Sequence, residues 1–410
     1  MSPGRPGDDP DRTTWVRTQV GIRANGLAGL AGLGLRHNPR RAHLLVSTVL
    51  GKHVPCLMEP LWQHADRLAQ ATATAHREAT RFAVMGYAET AVGLGSMVAV
   101  RLARHTGREV VSFQSTRHTV VGHERLLDFT EPHSHAAAHR VYLARPELLD
   151  PGTVVVLCDD ELTTGTTAAN TVTGIRSRLP HLDRFVVATL IDARPSLADG
   201  PLTGSAPQVR VIAQTRATVE VPDGAVARVA QLFADRSADR TPAPPPPGEA
   251  PAVVRLGGFW LDFDPLLGIP PGRWPALRQL VGAVTARLRS VPDNRVPETG
   301  PDLHVLGVEE DSYLASCVAT ELGATFSATT RSPVHVVDDD GYPVRSAAAW
   351  QVAGEPRFAY GLADRVRASP GPVDLVLMTS RRYLTAEHAP MLDAVAPGWR
   401  TVYLVEVDHA

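Results

Sequence analysis

Cysteine and lysine are both scarce in this sequence of 410 residues. The three cysteines, Cys56, Cys158 and Cys317, are far apart and show neither the spacing of a metal site nor an even-numbered disulfide framework. Such cysteine usage fits a reducing cytosol. Lys52 is the only lysine among 41 basic residues. Because arginine fills the other basic positions, we regard Lys52 as a candidate functional residue.

Long apolar runs and a strong net charge are also missing. No stretch approaches the roughly 20 consecutive apolar residues of a membrane span, and the N-terminal sequence MSPGRPGDDPDR has no apolar signal core. The net charge is -2 and the pI is about 6.8, so the whole molecule has no attraction to nucleic acid or to an anionic membrane. We therefore expect a cytoplasmic protein whose partners are small molecules.

The length of the chain and one proline-rich stretch predict two domains. The stretch RTPAPPPPGEAP has the extended, semi-rigid character of a linker. In the first part, apolar strands alternate with helical segments, which predicts an α/β fold with a parallel sheet. The predicted boundaries are a disordered start at 1–14, a first domain at 15–239, the linker at 240–251 and a second domain at 252–410.

The most informative stretch is TVVVLCDDELTTGTTAAN at 153–170. Its apolar start predicts a buried strand, after which come two acids, Asp159 and Asp160, and a threonine-rich turn at a helix start. Hydroxyl groups, backbone N–H groups and a glycine at a helix N-terminus form a cradle for an anion. A Walker P-loop is excluded because it requires a lysine here. We expect a monophosphate, with the two acids beside the vicinal hydroxyls of a sugar, with or without Mg²⁺.

The segment LCDDELTTGTT resembles the signature of type I phosphoribosyltransferases. The resemblance implies that Asp159 and Asp160 hold the ribose hydroxyls of phosphoribosyl pyrophosphate and lie beside Mg²⁺, and that the turn holds the 5′-phosphate. A capped helix after a core strand is the alternative, but it does not explain adjacent acids at a strand end. The residues expected to bind phosphoribosyl pyrophosphate here, besides the two acids, are Glu161, Thr163, Thr164, Gly165, Thr166 and Thr167.

A second unit of strand, turn and helix covers 82–105. By the same resemblance its turn is the pyrophosphate loop, which binds the leaving group mainly through backbone N–H groups. The Glu89 carboxylate would repel pyrophosphate unless Mg²⁺ lies between them or the carboxylate points to an arginine. Basic residues at both ends of the apolar run 44–50 could reach the pyrophosphate as well. We expect this of Lys52, whereas Arg40 and Arg41 could equally be solvated loop charges. The residues of the predicted loop are Gly86, Tyr87, Ala88, Glu89 and Thr90.

The segment 122–142 is polar, rich in histidine and irregular, so we expect a loop there. In the family this position belongs to a mobile loop that closes over the ribose. His133, His135 and His139 with Glu131 could supply proton transfer or contact the pyrophosphate with its Mg²⁺, and Arg117 could stabilise the leaving group. A zinc site built from the three histidines is one alternative, and a solvated loop is another.

The second domain echoes the first at an offset of 220. Its tetrapeptide TRSP at 330–333 resembles the TRSP domain that follows a phosphoribosyltransferase domain in proteins associated with bacterial tellurium-resistance and stress gene clusters. The later strand at 373–378 ends without an acid pair or a threonine cradle, so we do not expect phosphoribosyl pyrophosphate there. The residues matched at this offset are Glu89 and Glu309, Leu94 and Leu314, Ser96 and Ser316, Val98 and Val318, Ala99 and Ala319, and Leu102 and Leu322. After a shorter connection in the second domain, 115–117 also match 329–331.

Together the resemblances imply a parallel, Rossmann-like type I phosphoribosyltransferase domain followed by a second α/β domain. The expected activity is transfer of the phosphoribosyl group from phosphoribosyl pyrophosphate to an unidentified acceptor with release of pyrophosphate and with Mg²⁺ as cofactor. The acceptor is expected to be a nucleobase-like nitrogen compound, the product a nucleoside-like metabolite and the assembly a homodimer. A regulator that binds the same ligand without chemistry is the alternative. A synthetase of phosphoribosyl pyrophosphate would need an ATP-binding loop, which we do not find.

Overall fold

The computed structural model describes residues 11–36, 38, 41–89, 91–130, 138–198, 200–203, 209–235, 250–291 and 302–409. No helix in these ranges is long and apolar enough to cross a membrane. The helices are α1 (Thr14–Val20), α2 (Glu59–Ala75), α3 (Val92–Thr106), α4 (Thr166–Arg178), α5 (Ala225–Asp235), α6 (Trp274–Arg289), α7 (Ser312–Leu322), α8 (Leu362–Ala368) and α9 (Ala389–Val395).

The strands form two large sheets and three small two-stranded ones. The strands of the first part are β1 (Arg23–Asn25), β2 (Ala31–Leu35), β3 (His43–Ser47), β4 (Arg81–Gly86), β5 (Val110–Thr116), β6 (Arg125–Thr130), β7 (Ala138–Tyr142), β8 (Thr153–Leu162), β9 (Arg184–Asp192), β10 (Val209–Arg216) and β11 (Thr218–Glu220). Those of the second part are β12 (Ala252–Leu261), β13 (Leu303–Gly307), β14 (Thr325–Ala328), β15 (Ala347–Val352), β16 (Glu355–Tyr360), β17 (Asp374–Ser380) and β18 (Thr401–His409).

The first large sheet has the order β10-β9-β8-β4-β5-β7-β6. The five strands from β10 to β5 are parallel, and in the described ranges α3 connects β4 to β5 and α4 connects β8 to β9, as the alternating pattern predicts. The first six residues of β8 are buried, whereas its next three residues are partly exposed. This change along one strand marks the point where the core ends and a cavity begins.

The segment 122–142 is not the loop that its polar composition indicates. It contains β6 and β7, which pair antiparallel to each other and continue the sheet beyond β5. Leu127, Phe129 and Val141 are buried. Alternate apolar residues that pack on one face of a sheet are the pattern of a half-buried strand, and the polar residues between them conceal it. Residues 131–137, between the two strands, lie outside the described part of the chain.

The second large sheet repeats the central strand order of the first. Its order is β12-β18-β17-β13-β14, and all its strands are parallel. In the first sheet β4, which precedes α3, lies between β8 and β5. In the second sheet β13, which precedes α7, lies between β17 and β14. The echoing helices α3 and α7 pack against each other, so the two domains face each other through equivalent elements.

Backbone contacts join the two domains closely. Cys56 and Phe326 exchange backbone hydrogen bonds of 3.1 and 2.8 Å, and Ala328 N donates to Gly51 O at 2.9 Å. Gly51 has a φ of +73°, and a Cβ there would lie 2.5 Å from the Phe326 ring. A glycine is required at this position because it permits both this backbone conformation and the close approach. The turn that carries Lys52 is therefore held by the second domain.

Candidate active site

A cavity of about 180 Å³ opens at the carboxyl ends of β4, β5 and β8. Parallel α/β sheets bind ligands at this edge. The cavity brings together almost all the predicted site residues that the structure describes, and Gly86 lies directly beside it at the end of β4. The predicted residues that line the cavity are Lys52, Tyr87, Ala88, Glu89, Arg117, Asp159, Asp160, Glu161, Thr163, Thr164, Gly165, Thr166 and Thr167.

The acid pair is held by the sheet and not by the turn that follows it. β8 continues to Leu162, and Asp159 pairs with Thr189 of the neighbouring strand β9. Asp159 Oδ1 accepts a hydrogen bond of 2.9 Å from Asp160 N. Both carboxylates are partly exposed toward the cavity. They fit Mg²⁺, which in proteins is bound by one or two carboxylates together with the phosphates of a substrate.

The threonine turn has the backbone of an anion cradle. Gly165 is the N-cap of α4, with a φ of +81°, and α4 begins at Thr166. Thr164 Oγ1 accepts a hydrogen bond of 3.3 Å from Thr166 N and donates one of 3.0 Å to Thr166 Oγ1. A side chain in place of Gly165 would have a Cβ 2.9 Å from Leu202. Hydroxyl groups and the positive end of the helix dipole thus face the cavity together.

Two arginines lie beside the acids, of which Arg36 was not predicted to lie in the site and Arg41 was predicted either to reach the pyrophosphate or to be a solvated loop charge. Arg36 and Arg41, which flank the turn between β2 and β3, line the cavity, and Arg41 Nη2 lies 3.0 Å from Glu161 Oε1. Burial raises the pKa of Glu161 against the opposing charge of Arg41. The second oxygen of Glu161 has no hydrogen-bond partner among the described residues. The basic residues before β3 were only a weak indication that this part of the chain lines the cavity, because charges there are equally typical of a solvated loop.

Close glycine contacts fix the turn after β4. A Cβ on Gly95 of α3 would lie 2.7 Å from Gly86 Cα, and a Cβ on Gly86 would lie 2.4 Å from Ala91 O. Two backbone N–H groups of this turn are already used, because Tyr87 N donates to Cys158 O at 3.1 Å and Ala88 N donates to Ser115 Oγ at 2.9 Å. These two N–H groups therefore already have partners in this conformation, and binding of pyrophosphate mainly through backbone N–H groups stays a prediction.

The Glu89 carboxylate points to the second domain. Its Oε2 accepts hydrogen bonds from Thr330 Oγ1 at 2.7 Å and from Arg331 N at 3.1 Å. Lys52 Nζ lies 3.9 Å from Oε2 and Arg331 Nε lies 3.7 Å from Oε1. The Glu89 carboxylate thus points to an arginine, which is one of the two arrangements in which we expect that it does not repel pyrophosphate; the other is a Mg²⁺ ion between them. Arg331 and Ser332 line the same cavity.

Five residues considered in the sequence analysis lie outside the described part of the chain: Arg40, Thr90, Glu131, His133 and His135. His139 is described and is buried in the sheet, where it stacks on Phe129 with ring centroids 4.6 Å apart. Its Nδ1 lies 2.9 Å from Ser115 Oγ. In the described ranges no three side chains of His, Cys, Asp or Glu are grouped to hold a metal ion. The zinc alternative stays an expectation, because two of its three histidines are not described.

The sheet, the acid pair and the threonine turn define an α/β protein with a site of the phosphoribosyltransferase type. Residues 30–219 match the family model described as "Phosphoribosyl transferase", and residues 268–395 match that described as "TRSP domain C terminus to PRTase_2". Residues 30–219 therefore form a phosphoribosyl transferase domain, which is followed by a TRSP domain. The matches confirm the predicted pair of fused domains, and the fold class is confirmed with them.

Several solved structures share part of the fold at low similarity. An APRTase from Giardia lamblia in complex with 9-deazaadenine is 14% identical, with a TM-score of 0.26, over 39% of this chain and 84% of that one. An orotate phosphoribosyltransferase of Francisella tularensis is 13% identical, with a TM-score of 0.23, over 43% and 79%. A hypothetical protein from Neisseria gonorrhoeae with bound ppGpp is 11% identical, with a TM-score of 0.26, over 41% and 85%. No curated protein matches the chain. Similarities this low support no conclusion about activity.

Proposed function

We propose that the protein transfers the phosphoribosyl group of phosphoribosyl pyrophosphate to a nucleobase-like nitrogen acceptor and releases pyrophosphate. One observation carries the proposal: the acid pair, the threonine turn and the cations around Glu89 line a single cavity. An acid pair suits the hydroxyls of a ribose, a threonine-rich turn suits a 5′-phosphate, and cationic side chains suit a pyrophosphate. Membership of the phosphoribosyl transferase family supports the same reaction class.

Each group has a role in this proposal. Asp159 and Asp160 accept hydrogen bonds from the ribose hydroxyls and would hold Mg²⁺, which when bound offsets negative charge on the pyrophosphate. The turn 163–167 anchors the 5′-phosphate. The bond from C1 to the pyrophosphate oxygen breaks, its electron pair leaves with pyrophosphate, and the acceptor nitrogen forms the new bond to C1. Lys52 and Arg117 stabilise the charge that develops on the leaving group. His133 and His135 remain proposed for proton transfer.

Isothermal titration with phosphoribosyl pyrophosphate, with and without Mg²⁺, tests the proposal. The wild-type protein is expected to bind in a Mg²⁺-dependent manner, and the double variant Asp159→Asn with Asp160→Asn is expected to lose binding and turnover while its circular dichroism stays unchanged. The matched control is Asp183→Asn with Asp223→Asn, two exposed aspartates of the first domain. Full activity in the site variant would refute the assignment.

A second assay, the release of pyrophosphate in a single turnover, separates catalysis from ligand binding alone. A catalytic protein releases pyrophosphate in a single turnover once an acceptor is supplied, whereas a regulator binds phosphoribosyl pyrophosphate and releases none. Candidate nucleobases would be supplied one at a time with saturating Mg²⁺. The nucleoside-like product, the homodimer and the cytoplasmic location stay predictions, which product analysis, sedimentation and cell fractionation would test.

A further inference from the structure

We propose that the second domain completes the active site within the same chain, and that Arg331 forms the pyrophosphate subsite together with Lys52. The TRSP segment, residues 330–333, lies against the turn after β4 and reaches the cavity through Arg331 and Ser332. This inference rests on the proposed function, because the ligand of the subsite is the pyrophosphate end of the proposed substrate. It assigns to the second domain a direct part in substrate binding.

Two backbone N–H groups of the turn after β4 already have hydrogen-bond partners within the protein. The N–H groups of Tyr87 and Ala88 are bonded within the first domain. Cationic side chains must then carry more of the binding, and the two that lie beside Glu89 are Lys52 and Arg331. A pyrophosphate carries several negative charges, for which an ammonium group and a guanidinium group are the matching partners.

Contacts with neighbouring side chains fix the position of the Arg331 side chain before such a ligand binds. Its Nε and Nη2 donate to Glu309 Oε2 at 3.2 and 3.0 Å, and Glu309 is bound on its other oxygen by Arg357. His118 of the first domain lies 3.1 Å from Arg331 through its Nε2. The Arg331 side chain is only 13% exposed. A side chain fixed in this way loses little conformational entropy when it binds a ligand.

Glu89 acts in this arrangement as the anchor of the turn and as an internal counter-anion. Its Oε2 keeps the turn bound to the TRSP segment through Thr330 and the Arg331 backbone. Its distance of 3.9 Å from Lys52 is an ion contact that is longer than a hydrogen bond. Lys52 is therefore able to turn from Glu89 to an entering pyrophosphate while the anchoring hydrogen bonds remain.

A purely structural role for the same contacts makes different predictions. Hydrogen bonds that only hold the domains together would affect every ligand equally, because loosening the interface would disturb the whole cavity. A pyrophosphate subsite affects phosphoribosyl pyrophosphate and free pyrophosphate but not ribose 5-phosphate, which lacks that end. The comparison of these three ligands therefore separates the two roles.

The experiment is titration of the full-length protein with the three ligands in the presence of Mg²⁺. Arg331→Gln is expected to weaken binding of phosphoribosyl pyrophosphate and pyrophosphate by about tenfold or more, from the loss of a charge-assisted contact, with ribose 5-phosphate unchanged. The matched control is Arg345→Gln, an exposed arginine of the second domain that pairs with surface aspartates. Unchanged affinities in Arg331→Gln, or an equal loss for ribose 5-phosphate, would overturn the proposal.

Glu89→Gln provides a test of opposite sign that does not depend on the folding of the arginine variant. The amide oxygen can still accept from Thr330 Oγ1 and from Arg331 N, because both bonds end on one carboxylate oxygen. The amide does not compete with the ligand as a counter-anion of Lys52 and Arg331, so phosphoribosyl pyrophosphate is expected to bind several-fold more tightly. Equal or weaker binding would contradict the proposal. Wild-type protein that binds neither phosphoribosyl pyrophosphate nor ribose 5-phosphate would instead overturn the proposed function itself.

Discussion

The buried carboxylate of Glu309 is expected to stabilise the folded protein by an amount that follows from its pKa. Burial by itself would raise the pKa of Glu309, but the hydrogen bond from His118 and the charges of Arg331 and Arg357 outweigh it and lower the pKa from 4.5 to about 2. A change of this size corresponds to about 3 kcal/mol of stabilisation of the folded state. The network spans both domains, so Glu309→Gln is expected to destabilise their contact.

The dependence on pH follows from the direction of the change. Because the pKa is lower in the folded state, the stabilisation is complete above about pH 4.5 and is lost as the pH falls toward 2. Glu309→Gln should therefore unfold in urea with about 3 kcal/mol less free energy than the wild type at neutral pH. Near pH 2 the wild-type carboxyl is protonated, so the difference should nearly vanish there.

Urea unfolding followed by circular dichroism, at neutral pH and in acid, measures both quantities. The control is Glu321→Gln, which removes an exposed carboxylate of α7 in the same domain and is expected to change stability by less than about 0.5 kcal/mol. Wild-type stability of Glu309→Gln at neutral pH would refute the argument. So would a loss of stability that stays the same in acid, because it would then come from packing and not from charge.

Two further predictions concern the turn after β4. Gly95→Ala would place a Cβ 2.7 Å from Gly86 Cα. Although alanine favours helices, we expect this close contact to lower the melting temperature and to weaken binding of phosphoribosyl pyrophosphate. An unchanged affinity by titration would contradict this prediction. Tyr87→Phe removes the hydrogen bond of 2.9 Å from Tyr87 Oη to Thr171 Oγ1 and is expected to cost about 1 kcal/mol of unfolding free energy in urea. Wild-type stability would show that the bond between turn and α4 is not needed.

Local pattern was sufficient where strand, turn and helix follow one another directly. The apolar run before Asp159 is the buried part of β8, and the threonine turn leads directly into α4, whose N-cap is Gly165. The acids themselves lie on the strand and not in the turn, since the ladder with β9 continues beyond the apolar run. Where a strand ends depends on its neighbour, which the local sequence does not contain.

Local pattern was insufficient where contacts come from distant parts of the chain. The hairpin of β6 and β7 was mistaken for a loop, because polar residues hide its alternating apolar positions. Arg36 showed no local signal, and the TRSP segment was identified only by its resemblance to a family. Its Arg331 lies 242 positions after Glu89, to whose carboxylate it donates a hydrogen bond. Such a contact follows from the packing of one domain on another.

The sequence by itself determined the class of fold and the fused pair of domains, and it predicted the residues that we propose to hold the ribose and its phosphate. These features depend on short stretches in which spacing and side-chain chemistry act together. Only the tertiary structure decided what Glu89 faces, where Lys52 and Arg331 lie and that both domains line one cavity. The physical reason is that an electrostatic environment is the sum of groups that are near in space, and here those groups come from both halves of the chain.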